Sequence, residues 1–172
     1  MKDNFEESLK MVLDHEGLFS DHSADPGKVT MRGVTQAVWE DWVDHPVTRD
    51  DMKSLTVADV SPLYKKNYWD RIKGDDLKPG ADFAVFDMAV NSGPGRAAKI
   101  LQRVINVTQD GGVGPQTLAA AAKMDTVDII ENYAAQREAF YRGLKTFDTF
   151  GRGWLRRNEE TKISALRMSE EA

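Results

Sequence analysis

The sequence contains no cysteine, which excludes disulfide bonds, thiolate metal sites and cysteine nucleophiles. Its three histidines, His15, His22 and His45, lack the spacing of a zinc-binding motif, so we expect neither a metal nor another cofactor. No apolar run approaches the ~20 residues that span a bilayer, and the acidic, amphipathic N-terminus does not resemble a secretory signal. We therefore expect synthesis in a reducing compartment, without export or stable membrane insertion.

Positive charge is also scarce in this chain. Its 23 lysines and arginines are outnumbered by 28 aspartates and glutamates, and the net charge of -5 argues against a nucleic-acid partner. With 41% hydrophobic and 30% charged residues among 172, the composition is typical of a globular protein with a sizeable core. We expect a monomer.

Helical periodicity covers most of the chain, whereas β-branched residues and turn formers occur together only near residues 19–34. The sequence therefore predicts an α+β fold that is predominantly helical, with a small β-hairpin region near residues 19–34. The strongly apolar stretch at residues 81–90 predicts a buried helix at the centre of the fold.

The carboxylate of Glu16 interrupts the apolar stripe of the first predicted helix, residues 3–16, which Gly17 is expected to end. The other members of the stripe recur at helical spacing and are Phe5, Leu9, Val12 and Leu13. A carboxylate there is costly unless it is paired, exposed to a cleft or protonated, and a protonated carboxyl is what a glycosidic general acid requires. The alternatives are that Glu16 turns to solvent or pairs with an arginine.

Two further side chains follow Glu16 at a suitable distance along the chain. Asp25 lies nine residues later in a loop, and Thr30 follows in the predicted strand. Glycoside hydrolysis needs one protonated carboxyl and one ionised carboxylate, and a hydroxyl can hold the attacking water. Taken alone, Asp25 is better explained by an Asx-type turn, Asp21 is a competing carboxylate, and β-propensity alone would explain Thr30.

Several motifs occur in order over nearly the whole chain. They are DHEGLFS at 14–20, DPG at 25–27, Thr30, GVT at 33–35, YWD at 68–70, FDMAVNSGP at 86–94, DGGVGPQTL at 110–118 and FGRGWLRR at 150–157. This series resembles the muramidases of glycoside hydrolase family 108, which are phage endolysins and related bacterial proteins. The last two motifs resemble the family's C-terminal segment, described as a predicted peptidoglycan-binding domain.

The resemblance implies a lysozyme-like fold and cleavage of the β-1,4 bond between N-acetylmuramic acid and N-acetylglucosamine in peptidoglycan. It places the catalytic glutamate at Glu16. Asp25 also has the glutamate-to-aspartate spacing of phage T4-type lysozymes, whose threonine would fall on Met31 rather than Thr30. We predict a catalytic region at residues 1–108 and, packed on it, a helical peptidoglycan-binding segment at 109–172.

Other residues are candidates for substrate binding or structure. The resemblance suggests that Asn91 and Gln102 hydrogen-bond the sugar N-acetyl groups or organise the cleft, whereas Ser92 is better explained by capping. Tyr68 is the candidate for stacking on a sugar ring, because its neighbour Trp69 faces another way on a helix and is expected in the core.

Five basic residues give the last predicted helix a positive character, and they are Arg152, Arg156, Arg157, Lys162 and Arg167. They are predicted to contact anionic cell-wall polymer or outer-membrane phosphates or, equally, to form salt bridges along the helix surface.

The resulting hypothesis is an endolysin that stays in the host cytoplasm until a holin-like factor releases it to the cell wall. The alternatives are a lytic transglycosylase, which needs a single catalytic glutamate and leaves anhydro ends, and a non-catalytic peptidoglycan-binding module.

Overall fold

Helices dominate the computed structural model, which describes residues 4–21 and 29–172. Within these ranges the strands form one small antiparallel sheet, so the predicted α+β class with a hairpin region near residues 19–34 is confirmed. The chain divides into two compact units. We call Leu9–Lys66 the small unit, and the chain up to Ser8 together with Asn67–Ala172 the helical unit. The domain boundary after residue 108 stays a prediction.

The small unit holds the sheet and four helices. Helix α1 spans Phe5–Glu16, with its first turn in the helical unit, and is followed by strands β1 (Phe19–Asp21), β2 (Val29–Met31) and β3 (Val34–Thr35) and helices α2 (Gln36–Val43), α3 (Arg49–Lys53) and α4 (Val57–Tyr64). The strand order is β1-β2-β3, and Thr30 pairs with Ser20 on one side and Thr35 on the other.

Local capping explains where two of these helices begin. The Thr35 hydroxyl accepts a hydrogen bond from the Val38 amide at 3.2 Å, which starts α2. A capping box formed by Thr56 and Asp59 starts α4. Beyond α4 the helix widens into a π-helical turn at Lys65–Trp69, and the boundary between the two units falls within this turn.

The helical unit continues through a 3₁₀ turn at Gly74–Asp76 and five helices. These are α5 (Ala81–Ser92), α6 (Pro94–Val104), α7 (Pro115–Lys123), α8 (Thr126–Arg142) and α9 (Phe147–Glu170). Residues 81–89 of α5 are all buried, which confirms the predicted central helix. Phe86 of α5 meets Phe5 and Trp69 edge to face, with ring centroids 5.9 and 5.2 Å away.

Helix α9 begins at Phe147 and contains two glycines, at 151 and 153. Gly151 is buried inside the helix. A Cβ at Gly151 would overlap the ring of Phe147, so the missing side chain makes room for that ring one turn earlier. In the described part of the chain, no helix has both the length and the apolar character needed to cross a membrane.

Candidate active site

Glu16 is the last residue of α1, and its side chain is half-buried. Gly17 follows in the left-handed region, with φ of +75°, and its amide donates to the Leu13 carbonyl at 3.3 Å. The predicted glycine termination is therefore confirmed. Because the helix stops here, Glu16 is carried on a rigid element while the backbone turns away immediately after it.

The stem of Glu16 lies against the turn that joins β2 to β3. A Cβ built on Gly33 would stand 3.0 Å from the Glu16 Cβ and 3.1 Å from its Cγ, and would overlap the Tyr64 hydroxyl. Gly33 also has a φ of +78°, which an L side chain rarely adopts. Glycine at this position thus lets the hairpin turn contact the methylene groups below the Glu16 carboxyl.

Two side chains hold this turn in place. The buried Tyr64 of α4 donates its hydroxyl hydrogen to the Arg32 carbonyl at 2.8 Å, and Arg32 donates from Nε to the Leu55 carbonyl at 2.9 Å. Arg32 is itself left-handed, with φ of +50°. These two hydrogen bonds hold the successive left-handed residues Arg32 and Gly33 beside Glu16. Local sequence preference alone would not keep the two residues in this conformation.

Thr30 lies in the middle of β2 and is half-buried. Its neighbours Val29 and Met31 are buried, so alternation along the strand places Thr30 on the opposite face. Met31, the position that would hold threonine in the T4-type spacing, therefore belongs to the core. The small unit contains both Glu16 and Thr30.

The predicted partner Asp25 lies outside the described residues. The competing carboxylate Asp21, at the end of β1, is described and forms an ion pair with Arg49 at the start of α3. An ion pair keeps a carboxylate ionised, as the partner of a general acid must be, so Asp25 and Asp21 both stay candidates.

Tyr68 and Trp69 occupy the π-helical turn and differ in exposure. Trp69 is buried as expected, and its indole Nε1 donates to Asp75 at 2.8 Å. Gly74 packs under its ring so closely that a Cβ would overlap it. Tyr68 is half-buried and stays the sugar-stacking candidate. Periodicity did not reveal the π-turn, although such turns are frequent at functional sites.

Asn91 lies in the last turn of α5 and is half-buried. Its Oδ1 accepts two hydrogen bonds, one from the Tyr141 hydroxyl at 2.5 Å and one from the Ser92 hydroxyl at 2.7 Å. Asn91 therefore has a defined side-chain orientation next to the glycine that separates α5 from α6. Ser92 does not have the expected capping role, because Gly93 is the cap residue of both α5 and α6.

Gln102 is buried, and its amide is engaged within the protein. Nε2 donates to Asp110 Oδ1 at 2.8 Å, to the Gly112 carbonyl at 3.0 Å and to Thr117 Oγ1 at 3.2 Å. Oε1 accepts from the Gly111 amide at 3.0 Å. These contacts tie α6 to the Asp110–Gly114 turn, so Gln102 organises that turn.

A buried ionic cluster on α5, α8 and α9 was not found from the sequence. Asp87 is fully buried, with Arg137 Nη1 2.8 Å from Oδ2 and Arg157 Nη2 2.9 Å from Oδ1. Thr161 also donates to Asp87 at 3.1 Å. Burial opposes ionisation of Asp87, yet the two guanidinium groups hold its pKa below the ordinary value.

Fewer basic residues of the last helix are available to a partner in the structure than the sequence predicts. Arg157 belongs to the Asp87 cluster, Lys162 is 3.0 Å from Glu159, and Arg167 is 4.0 Å from Glu7 and Glu171. Arg152 and Arg156 are exposed. The wall-binding hypothesis therefore rests on Arg152 and Arg156, and the salt-bridged alternative describes Lys162 and Arg167.

A cavity of about 540 Å³ lies in the helical unit, and Asn4, Trp69, Asp82 and Met168 are among its lining residues. None of the predicted site residues that the structure describes lines it. Within residues 4–21 and 29–172, no group of three or more histidine, aspartate or glutamate side chains is arranged to hold a metal ion.

Comparisons with known proteins agree with this architecture. The family model described as Glycosyl hydrolase 108 matches residues 9–93, and the one described as Predicted Peptidoglycan domain matches residues 96–159. Among solved structures, the chain is similar to Brucella abortus SagA, with 41% sequence identity over 98% of this chain and 97% of that chain and a TM-score of 0.85. The comparison with curated proteins gave no match.

Both family models and the identity over nearly the full length point to the same group of enzymes. The predicted lysozyme-like α+β fold and the C-terminal peptidoglycan segment are confirmed. The chain therefore belongs to glycoside hydrolase family 108 and is a peptidoglycan hydrolase.

Proposed function

We propose that this protein is an N-acetylmuramidase that hydrolyses the β-1,4 bond between N-acetylmuramic acid and N-acetylglucosamine, with Glu16 as the general acid. The observation that carries the proposal is the position of Glu16. It stands at the rigid end of α1, half-buried, with its stem against the Gly33 turn and within the segment that the glycosyl hydrolase model matches.

The chemistry requires two carboxyl groups in different protonation states. Glu16 gives its proton to the glycosidic oxygen as the bond to the anomeric carbon breaks. Asp25, ionised, stabilises the oxocarbenium-like transition state or takes a proton from the attacking water, which Thr30 helps to hold. If the carboxyl groups stand roughly 6.5–9.5 Å apart, a water fits between them and the anomeric configuration inverts.

The products of purified peptidoglycan test the reaction type. Hydrolysis adds water across the bond and leaves reducing N-acetylmuramic acid ends, which mass spectrometry detects. A lytic transglycosylase would leave 1,6-anhydro ends of lower mass by one water molecule. Anhydro products would overturn the hydrolytic assignment, and the absence of any cleavage would favour a non-catalytic binding module.

We further propose that the enzyme acts as a monomeric endolysin, held in the host cytoplasm until a holin-like factor opens the inner membrane. The support is the resemblance of the motif series to phage endolysins. Expression of the chain alone should leave cells intact, and co-expression with a membrane-permeabilising protein should lyse them. Lysis without permeabilisation would contradict this localisation, and a dimer in sedimentation analysis would contradict the monomer.

A further inference from the structure

The two glycines of helix α9 differ in what surrounds them. A Cβ at Gly151 would overlap the Phe147 ring, so packing requires that glycine. Gly153 is exposed, a Cβ there would meet nothing within 4 Å, and its φ is not left-handed. Apart from proline, glycine is the least favourable residue in a helix interior, so Gly153 weakens α9 without a reason in the described part of the chain. A bare backbone of this kind allows a molecule outside the chain to approach closely.

Gly153 lies between aromatic and basic side chains around the helix. At about 100° per residue, it is about 60° from Phe150 on one side and about 60° from Arg156 on the other. Phe150 is 54% exposed, and Trp154, one turn later on the same side, is half-buried. Arg152 and Arg156 are exposed, and neither forms an ion pair with a residue that the structure describes. We call these five residues the α9 surface.

The two rings of the α9 surface are held in a fixed arrangement. Trp154 stacks on the buried ring of Tyr141, with centroids 5.2 Å apart and planes 24° apart. Phe150 continues the series, with its centroid 5.7 Å from that of Trp154 and an angle of 33°. Because the buried tyrosine orients the outer rings, a ligand that stacks on them meets a preformed apolar surface.

The size of this surface decides between a protein partner and a sugar. An aromatic side chain offers at most about 150–250 Å². Phe150 exposes 54% of itself and Trp154 less, so the two rings offer far less than the ~800 Å² per partner of a specific protein interface. An area of this size suits one sugar ring, whose C–H groups form an apolar face.

The arginines add a requirement for an anionic group beside that sugar. Guanidinium groups bind carboxylates through paired hydrogen bonds. Peptidoglycan combines both features, because its muramic acid rings carry peptides that end in carboxylates. All five residues of the α9 surface also lie within residues 96–159, which the predicted peptidoglycan domain model matches.

We propose that the α9 surface binds a muramyl-peptide unit of peptidoglycan, with the sugar ring against Phe150 and Trp154 and a peptide carboxylate on Arg156. Gly153 leaves the space in which the unit lies across the helix. The surface lies wholly within the helical unit and concerns binding, so it does not depend on which bond of the glycan the enzyme cuts.

The first test measures binding of muramyl dipeptide to the full chain by isothermal titration calorimetry. This probe has one sugar ring and a free carboxylate but no glycosidic bond to cleave. Phe150→Ala should weaken its binding about 3- to 10-fold, the contribution of one aromatic contact. Ile163→Ala is the matched control, because it removes a side chain of similar exposure, 58%, from the same helix. It should bind the probe like the wild type.

The second test uses Gly153→Ala, which should have opposite effects on stability and binding. An alanine there should raise Tm by about 2–4 °C, because it favours the helix, and its methyl should weaken binding of the probe at least about 3-fold. Gly95→Ala is the control, since Gly95 is also helical and a Cβ there would meet nothing within 4 Å. It should bind like the wild type.

The third test separates the sugar from the carboxylate. Arg156→Gln should weaken binding of muramyl dipeptide about 3- to 10-fold, the size of a charge-assisted hydrogen bond at an exposed site. It should leave binding of chitobiose, which has sugar rings but no carboxylate, at the wild-type value.

The outcomes decide the proposal independently of the cleavage reaction. If the wild type does not bind muramyl dipeptide, or if Phe150→Ala and Gly153→Ala bind it as tightly as their controls, the proposal is overturned. Wild-type binding by Arg156→Gln would overturn the assignment of the carboxylate. A wild-type dimer that Phe150→Ala dissociates in sedimentation analysis would assign the surface to a second copy and overturn the proposal as well. The products of peptidoglycan digestion test the muramidase assignment separately, so either proposal can fail alone.

Discussion

Glu16 and Asp87 are both carboxylates on the apolar side of a helix, and their surroundings differ in kind. Asp87 is fully buried between two arginines and Thr161, so its charge is neutralised within the protein. Glu16 is half-buried at a helix end, and its methylene stem packs against a glycine turn. At Asp87 the charge in the apolar stripe is neutralised by buried arginines, whereas Glu16 lies half-buried at a helix end within the segment that the glycosyl hydrolase family model matches.

Asp82 is a third carboxylate on a helix, and it is buried without an arginine partner in the described part of the chain. It is 2% exposed, and its oxygens accept from the Asn4 side chain at 3.0 Å and from the Gly80 and Phe83 amides at 2.8 and 2.7 Å. No arginine or lysine forms an ion pair with it in the described part of the chain. Burial raises the pKa of Asp82 to about 6, whereas the arginines lower that of Asp87.

Replacing Asp87 with asparagine should cause the largest loss of stability. The substitution keeps the shape but leaves the buried charge of Arg137 without its counter-ion, which costs about 3–5 kcal/mol of unfolding free energy. Urea unfolding measures the loss. Glu138→Gln, which breaks the exposed pair with Arg142, is the control and should cost less than about 0.5 kcal/mol. Equal effects of the two substitutions would show that the buried cluster is not the stronger one.

Replacing Gly33 with alanine should affect both stability and activity. A left-handed alanine costs about 1–2 kcal/mol, and overlap with the Tyr64 hydroxyl adds about 1–3 kcal/mol. Because the new methyl also contacts the Glu16 stem, we expect a lower kcat on peptidoglycan.

Gly17→Ala is the matched control for Gly33. Gly17 has a similar φ of +75°, but a Cβ there would meet nothing within 4 Å. It should therefore show only the left-handed cost. If the two alanine variants lose stability and kcat equally, contact of the turn with Glu16 has no role.

Asp82 should make the folded protein less stable as the pH rises, whereas Asp87 should make it more stable. Since its pKa is raised from 3.8 to about 6 on folding, its contribution is complete below pH 4 and is lost as the pH rises through 6. Relative to Asp82→Asn, the wild type should lose up to about 3 kcal/mol of unfolding free energy between pH 4 and 7. Parallel pH profiles of wild type and variant, measured by urea unfolding, would contradict the burial argument.

Replacing the exposed arginines of α9 should have the smallest effect of these substitutions, and the affected property is cell-wall binding. Replacing both Arg152 and Arg156 with glutamate should reduce pull-down with purified cell walls a few-fold, and added salt should weaken wild-type binding similarly. Lys123→Glu, a single exposed change on α7, is the charge control. Arg157 is unsuitable for this test because it holds Asp87. Unchanged wall binding would remove these arginines from the proposed contact surface.

Features that depend on neighbouring residues were predictable from the sequence. The cap at Thr35, the capping box at Thr56 and the glycine end of α1 each involve groups within four residues of one another. The burial of the helix at 81–90 follows from its composition.

Features that depend on distant residues were not predictable. Arg157 lies 70 residues from Asp87, so in the sequence it could not be distinguished from its exposed neighbour Arg156. The amide of Gln102 is engaged by a turn that begins eight residues later, which composition alone does not show. The partner of Glu16 stays a prediction, since Asp25 lies outside the described residues.

The most direct test of the central claim is the activity of Glu16→Gln on purified peptidoglycan, with Asp14→Asn as a control on the same helix. Glutamine keeps the stem against Gly33 but has no proton to give, so we expect kcat to fall at least about 10²-fold, the typical contribution of a general acid. Stability and wall binding should remain at wild-type values, and Asp14→Asn should stay active. Release of reducing ends by Glu16→Gln at the wild-type rate would contradict the assignment of Glu16 as the catalytic acid.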